Sequence, residues 1–529
     1  MGHRCVPAGV SVRSSQPSVG FVTIAGAGPG HPELITLLAA RRLREADVIL
    51  YDRLIDQEIL SLASPAAQLE DVGKRPGSGA EQQRRIIELL IDYALAGKRV
   101  VRLKGGDPLV FGRGAEESLA LQEAGIPFEI VPGVTSALAA PAYAGIPLTH
   151  RELSRAFAVI TGKAASGEAP SQDEIDWVSL ARFKGTLVFL MAVETLEVVS
   201  ARLIEAGLSA TTPAAMIQDA TLGSQRVVTS DLGHIADEAQ RAGIESPSVL
   251  IVGEVVSLRD KIDWARTRPL FGKTILVTRP AERSSEIASA LRDMGAGVIV
   301  APSIKTKILE HSDELKDAVE RAVGGGFSWL VFASRTGVEA FFTILQSCGG
   351  DARSLAGTKV ACVGAATATA LNERGIRPDF IPRRSTAAAL ASDLPLGYRA
   401  EQLLIVQARG GRPELSQVLR ERGFDVEVAE AYETIKPEAR DERLQRARKL
   451  LSERKIFAVV FASASQVENF TELFGAELAP PIVVCIGPTT ADAATKAGIE
   501  PSAIAAEQSV AGLVEALVEA VRSAEERIK

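Results

Sequence analysis

The chain has 529 residues, 46% of them hydrophobic and 24% charged, with a formal net charge of −7. That length allows three or four domains with ample core, the composition is globular rather than disordered, and the acidic balance gives no support to a nucleic-acid binder. Cys5, Cys348, Cys362 and Cys485 lie far apart with no CxxC spacing, which argues against a disulfide scaffold or a structural zinc site and fits a reducing cytoplasm, and the absence of a run of about 18 apolar residues predicts no membrane span.

Residues 1–18 are polar and lack the apolar core of a signal peptide, so they are expected to be a disordered extension or the product of a start placed too early. Beyond them, short apolar runs at 21–28, 99–103, 128–133, 157–162, 186–191 and 248–253 predict strands, with helical spacing between, as at 33–46 and 114–124. The alternation predicts α/β architecture with mostly parallel sheets. The first strand runs into Gly26-Ala27-Gly28-Pro29-Gly30, whose GxGxG spacing and central proline make a poor dinucleotide fingerprint. Residues 100–114, VVRLKGGDPLVFGRG, are more telling. Glycines after a strand let a ligand approach the backbone, Asp107 offers a carboxylate at the strand end, and Arg102, Lys104 and Arg113 add positive charge, which points to a polar and acidic ligand.

Further motifs follow in order: Tyr51-Asp52-Arg53 after a strand, Gly73-Lys74-Arg75, the glycine motif, Val131-Pro132-Gly133-Val134-Thr135-Ser136-Ala137, and YAGIPLTHR at 143–151. This series resembles the uroporphyrinogen-III C-methyltransferase family over about residues 20–262. The resemblance implies a two-lobed tetrapyrrole methylase fold with S-adenosylmethionine between the lobes, contacted by Pro29, Gly105, Gly106, Asp107, Val110, Thr135, Ser136, Met191 and Ala220. It also implies that Asp52 is the proton acceptor and Lys74 the proton donor. An electron-rich pyrrole carbon can attack a sulfonium methyl without a nucleophilic side chain or metal, so orientation and one placed base suffice. The substrate's carboxylates require a basic lining, for which Arg75, Arg113 and Arg151 are candidates, with Arg102, Lys104 and His150. Residues 190–193, LMAV, depart from the family, which has an aromatic before the methionine and a glycine after it.

Residues 259–273, RDKIDWARTRPLFGK, break the alternation, and a linker is placed at 263–273. The remainder repeats itself. Residues 360–394 match 483–517 without gaps, so that Cys362, Gly364 and Thr367 fall on Cys485, Gly487 and Thr490. VFASRTGVEAF (331–341) matches VFASASQVENF (460–470), and GAGVIVAPSIKT (295–306) matches GFDVEVAEAYET (423–434). A unit of this length is too long for a solenoid repeat and predicts two similar α/β domains.

The motifs FASRTGV, CVGAATA, QARGGR, AYET, FASAS and CIGPTTA resemble the uroporphyrinogen-III synthase family over about 274–524. The resemblance implies lobes of about 274–304 plus 436–525 and 306–430, with Tyr432 assisting loss of the hydroxyl of hydroxymethylbilane. In the repeat Tyr432 stands where the first copy has Ile304. Ser334 and Ser463, the equivalent Thr367 and Thr490, and Arg279, Arg409 and Arg412 are candidate carboxylate partners. The sequence is thus expected to join two consecutive enzymes in the cytoplasm, with S-adenosylmethionine as cofactor, no metal, hydroxymethylbilane and uroporphyrinogen III as substrates, no nucleic-acid or membrane partner, and a homodimer through the first half. The alternative is a methyltransferase joined to a non-catalytic porphyrin-binding module.

Overall fold

The structure, a computed structural model, describes residues 19–528 apart from 54, 74–78, 165, 280–283, 303–304, 311, 385, 396–400, 412 and 436–440. The expected extension 1–18, and with it Lys74, Arg75, Ile304 and Arg412, lies outside the described residues.

β1 (Phe21–Gly26), β2 (Val48–Tyr51), β3 (Gln68–Asp71), β4 (Arg99–Lys104) and β5 (Phe128–Val131) form one sheet in the order β3-β2-β4-β1-β5, parallel throughout. Both faces carry core. Ala25, Ile49, Val101 and Leu103 pack on one side, and Val22, Ile24, Val48, Leu50 and Val100 on the other, which is why the central strands read as continuous apolar runs. The helical pattern at 33–46 resolves into a short 3-10 turn at Pro32–Leu34 and a helix at Leu37–Glu45. Thr36 sets that later start, because its hydroxyl accepts from Ala39 N at 3.2 Å.

β6 (Phe157–Thr161), β7 (Thr186–Leu190), β8 (Pro213–Gln218), β9 (Arg226–Asp231) and β10 (Ser248–Val252) form a second sheet, ordered β6-β7-β10-β8-β9. Here the expectation of mostly parallel pairing fails: only β6 and β7 run parallel, and β7–β10, β10–β8 and β8–β9 are antiparallel. The short loop 219–225 between β8 and β9 cannot carry the crossover a parallel pair needs. The helix Ser136–Tyr143 joins the two sheets, since its Ala137 and Ala140 are buried against Val188, Ile217 and Ile251 of the second. The segment expected to be a linker starts anchored: Arg259 Nη2 lies 3.1 Å from Asp263 Oδ2, Trp264 Nε1 donates to Ala142 O at 3.0 Å, and its ring meets Tyr143 edge-on at 5.3 Å.

The second half opens with β11 (Thr274–Val277) and β12 (Gly297–Val300). β13 (Lys305–Ile308), β14 (Trp329–Phe332), β15 (Lys359–Cys362), β16 (Gln402–Ala408) and β17 (Asp425–Ile435) follow, then β18 (Ala458–Phe461), β19 (Ile482–Cys485) and β20 (Ala503–Ile504). Two sheets result, ordered β12-β11-β18-β19-β20 and β13-β17-β16-β14-β15. The sequence repeat maps strand onto strand: β11 and β12 correspond to β16 and β17, β14 and β15 to β18 and β19, and Phe380, which bridges Ala361 beside β15, to β20. Each sheet therefore takes the first half of one copy and the second half of the other. The two copies exchange halves, and β13 is added antiparallel on β17.

The chain divides into two compact units, one of residues up to Ile275 with Ser289–Val298 and Val521 onward, the other of Leu276–Ala288 and Ile299–Ala520. Among the described residues no helix is long and apolar enough to cross a membrane, and no cluster of His, Cys, Asp and Glu could hold a metal ion.

Candidate functional site

Three neighbouring parallel strands of the first sheet end in glycine. Gly26 closes β1, Gly105 and Gly106 follow β4, and Gly133 follows β5. A Cβ on Gly133 would lie 2.1 Å from Gly106 O and 2.7 Å from Gly26 Cα, and one on Gly26 would lie 2.5 Å from Gly106 O. Only hydrogen fits at either position. Gly106 N donates to Gly28 O at 2.8 Å. Asp107 ties the loops together, its Oδ2 accepting from Gly133 N at 3.1 Å and its Oδ1 from Leu109 N at 2.8 Å. Gly105 is different: a Cβ there would meet nothing within 4 Å. Gly106 has φ +65° and its missing side chain would point at Thr135 and Ser136 across 3.8 Å. Thr135 caps the helix Ser136–Tyr143, accepting from Ala137 N at 3.3 Å. The strand ends thus border open space walled by bare backbone.

Loops of the second sheet also carry unusual backbone. Met191 directly follows β7 with φ +60° and is 47% exposed. Asp219 and Thr221 follow β8, and Phe111 and Arg113 follow β4, all with positive φ. Such backbone costs of order 1–3 kcal/mol per residue and gathers at functional sites. Thr221 Oγ1 accepts from His31 N at 3.0 Å, Gly30 lies against Thr221 and Leu222, and Val110 and Ala220 pack on the apolar cluster that includes Leu190. These contacts link Gly106, Asp107, Val110, Thr135, Ser136 and Ala220, with Pro29 and Gly105 beside them in the chain, and Met191 directly follows Leu190 of the same cluster.

Asp52, just past β2, is partly exposed, and its Oδ1 accepts from Arg102 Nη2 at 2.5 Å. Its Oδ2 has no hydrogen-bond partner among the described residues. Arg102 and Lys104, expected to face an acidic ligand, instead point into the core from one face of β4, 2% and 4% exposed. Both donate to Oε1 of the buried Glu117, at 3.2 Å and 3.0 Å. Burial works against the Arg102 charge, but the Asp52 and Glu117 carboxylates outweigh it and raise its proton affinity, whereas burial, with the Arg102 charge, holds the Lys104 ammonium below the usual lysine range. Sequence reasoning missed Glu117. The available signal was its place in the buried stripe Gly114, Glu117, Leu121 of the helix Gly114–Glu123, where a carboxylate is out of pattern. Of the expected basic lining, Arg113 pairs with Glu116 at 2.7 Å and Arg151 is exposed in the turn after His150.

In the second half the candidates collect at the carboxyl ends of parallel strands, a usual place for ligands in α/β sheets. Ser334 follows β14, Thr367 lies in the first turn after β15, Arg409 follows β16, and Tyr432 sits in β17 beside them. Tyr432 packs its ring on the core cluster and places its hydroxyl 2.9 Å from Ser334 Oγ, and its carbonyl accepts from Arg409 N at 2.7 Å. Ser334 also caps the helix Arg335–Ser347, accepting from Gly337 N at 3.0 Å. Its repeat partner Ser463 makes no such cap and lies 3.0 Å from Ser465 Oγ. The Arg409 guanidinium pairs with Glu430 and Glu433, both at 3.1 Å. Arg279 and Thr490 take the corresponding strand-end places after β11 and β19. Burial pushes the Cys362 and Cys485 thiols at these strand ends up to about 11, so both stay protonated and unreactive. Alkylation of the native protein near pH 8, read by peptide mass, should label the exposed Cys348 and leave Cys362 and Cys485 unlabelled until denaturation.

Known proteins share both halves. Residues 22–236 match the family of tetrapyrrole (corrin/porphyrin) methylases, and residues 285–515 match that of uroporphyrinogen-III synthase HemD. The porphyrin biosynthesis protein HemD of Ruminiclostridium josui is 38% identical over 504 residues, covering 94% of this chain and 98% of its own. The uroporphyrinogen-III C-methyltransferase of Bacillus subtilis (strain 168) is 40% identical over 68% of this chain and 74% of its own. A solved uroporphyrin III C-methyl transferase from Thermus thermophilus is 42% identical, covers 45% of this chain and all of its own, and superposes with a TM-score of 0.40. The chain therefore belongs to the tetrapyrrole methylase family through its first half and to the uroporphyrinogen-III synthase family through its second, as a fusion of the two.

Proposed function

We propose that this bifunctional tetrapyrrole enzyme catalyses two consecutive reactions. The second half closes hydroxymethylbilane to uroporphyrinogen III with inversion of the last ring, and the first half methylates that product at C2 and C7 to give precorrin-2. The observation that carries the reading is the bare backbone at Gly105 and Gly106 after β4, with Thr135 beside Gly106, together with Asp52, whose N–H donates to Leu103 O of β4 and whose carboxylate is half-clamped by Arg102.

The residues at this wall suit S-adenosylmethionine, because a glycine surface with free space admits a flat, polar cofactor against the main chain. When bound, that cofactor supplies an electrophilic methyl group on sulfur. The chain's own tasks are then to align ring carbon, methyl and sulfur, and to take up a proton that the macrocycle loses after attack. Asp52 does the second, with Oδ1 held by Arg102 and Oδ2 left to accept the proton. Lys74 donates a proton during the rearrangement, and a further proton leaves the macrocycle, so that each methyl gained replaces one proton overall. Arg75, Arg113 and Arg151 bind the substrate's carboxylates. A homodimer through the methyltransferase half and residence in the cytoplasm belong to the same reading.

In the synthase half, Tyr432 donates a hydrogen bond to the departing hydroxyl, and Ser334, Thr367, Ser463 and Thr490, with Arg279 and Arg409, bind carboxylates. Shape control then decides which carbon of the last ring is attacked. Tyr432→Phe should slow ring closure about tenfold, the worth of one hydrogen bond, and leave methylation of supplied uroporphyrinogen III unchanged. Stopped ring-closure assays with isomer analysis check it. For the reading as a whole, the full chain supplied with uroporphyrinogen III and S-adenosylmethionine should yield a product heavier by two methyl groups, and an unmodified tetrapyrrole would refute it.

A further inference from the structure

The proposed reaction uses Asp52 but gives no role to the buried group behind it. Glu117 is fully buried, and its Oε1 takes three donors: Lys104 Nζ at 3.0 Å, Arg102 Nε at 3.2 Å and Gln83 Nε2 at 3.2 Å. Its Oε2 accepts none among the described residues. A carboxylate so placed is a costly way to fill a core position, since an apolar residue of similar volume serves stability as well or better. Its geometric effect lies elsewhere. Glu117 engages the Nε edge of Arg102, and Nη1 lies against Leu103 O at 3.2 Å and Leu50 O at 3.4 Å. The guanidinium is planar with its donors fixed relative to one another, so these contacts dictate where Nη2 points, which is to Asp52 Oδ1 at 2.5 Å. Arg102 thereby acts as a rigid spacer between a buried carboxylate and a partly exposed one. Arg102 and Lys104 also balance Asp52 and Glu117 in charge.

We infer that Glu117 is a positioning residue for methyl transfer: acting through Arg102, it holds the Asp52 carboxylate with Oδ1 bound and Oδ2 open to the substrate. The inference rests on the assignment of Asp52 as proton acceptor. Glu117→Gln loosens the Nε contact and leaves the glycine wall intact. It should therefore lower kcat for methylation of uroporphyrinogen III at least about tenfold, a typical consequence of misplacing a reacting group, with KM and the Kd for S-adenosylmethionine within about threefold of the original.

The decisive comparison is a double-mutant cycle on the full chain with Asp52→Asn. If Glu117 acts through Asp52, then Glu117→Gln costs nothing further once Asp52 is an amide. Equal cost in both backgrounds, or a wild-type kcat in a folded Glu117→Gln protein, would overturn the inference while leaving the Asp52 assignment standing. A wild-type rate for Asp52→Asn alone would overturn both. Should Glu117→Gln fail to fold, Glu117→Leu with Lys104→Met removes the buried pair together and enters the same cycle with the same expected result.

Discussion

Asp52→Asn should slow methyl transfer by about 10²- to 10⁴-fold, the range for loss of a placed general base, and leave ring closure at its original rate. Asparagine keeps the size of the side chain and an oxygen for Arg102 Nη2, so the hydrogen bond at Oδ1 can persist. What disappears is the second oxygen's ability to take a proton. Arg102 is almost wholly buried and loses half of its counter-charge, so a stability cost of about 1–3 kcal/mol accompanies the change. Thermal unfolding separates the two effects, because a protein still folded at the assay temperature that binds S-adenosylmethionine normally isolates the chemical loss. Ring closure serves as the internal control within the same molecule.

Gly133→Ala should destabilise the methyltransferase half by about 3 kcal/mol or more and abolish cofactor binding. The new Cβ would stand 2.1 Å from Gly106 O and 2.7 Å from Gly26 Cα, and both are backbone at strand ends, so neither can rotate away. Gly105→Ala makes the opposite case. Its Cβ meets no protein atom within 4 Å, so the fold should tolerate it with near-normal melting, yet under the proposed function the methyl group enters the space assigned to the cofactor and should weaken S-adenosylmethionine binding. Calorimetric melting and titration of the two variants side by side check both. A Gly105→Ala protein that binds the cofactor as tightly as the original would place the cofactor elsewhere.

Strand ends and loop motifs were the legible part of this chain, because glycine, proline and apolar runs report local backbone demands. The runs at 99–103 and 186–191 became β4 and β7, and the internal repeat mapped strand onto strand in the second half. What stayed hidden depends on tertiary context. Arg102 and Lys104 alternate on β4 like surface charges, and nothing local says that Glu117, from a helix further along, waits on that face to bury them. The antiparallel pairings of β8 and β10 were equally invisible, since a strand's own sequence does not state its neighbour's direction. The duplication by itself does not state that the two copies exchange halves, and the expectation of lobes at about 274–304 plus 436–525 and 306–430 comes only from the family resemblance. Ser334 and Ser463 align perfectly, yet one caps a helix and contacts Tyr432 while the other does neither.

The central claim, that one chain makes a tetrapyrrole and then methylates it, is tested most directly by supplying the full protein with hydroxymethylbilane and S-adenosylmethionine under anaerobic conditions. The tetrapyrrole formed is then analysed by mass and isomer type. The account predicts a type III tetrapyrrole carrying two added methyl groups. A type I product, or a type III product without added methyl groups, would contradict it.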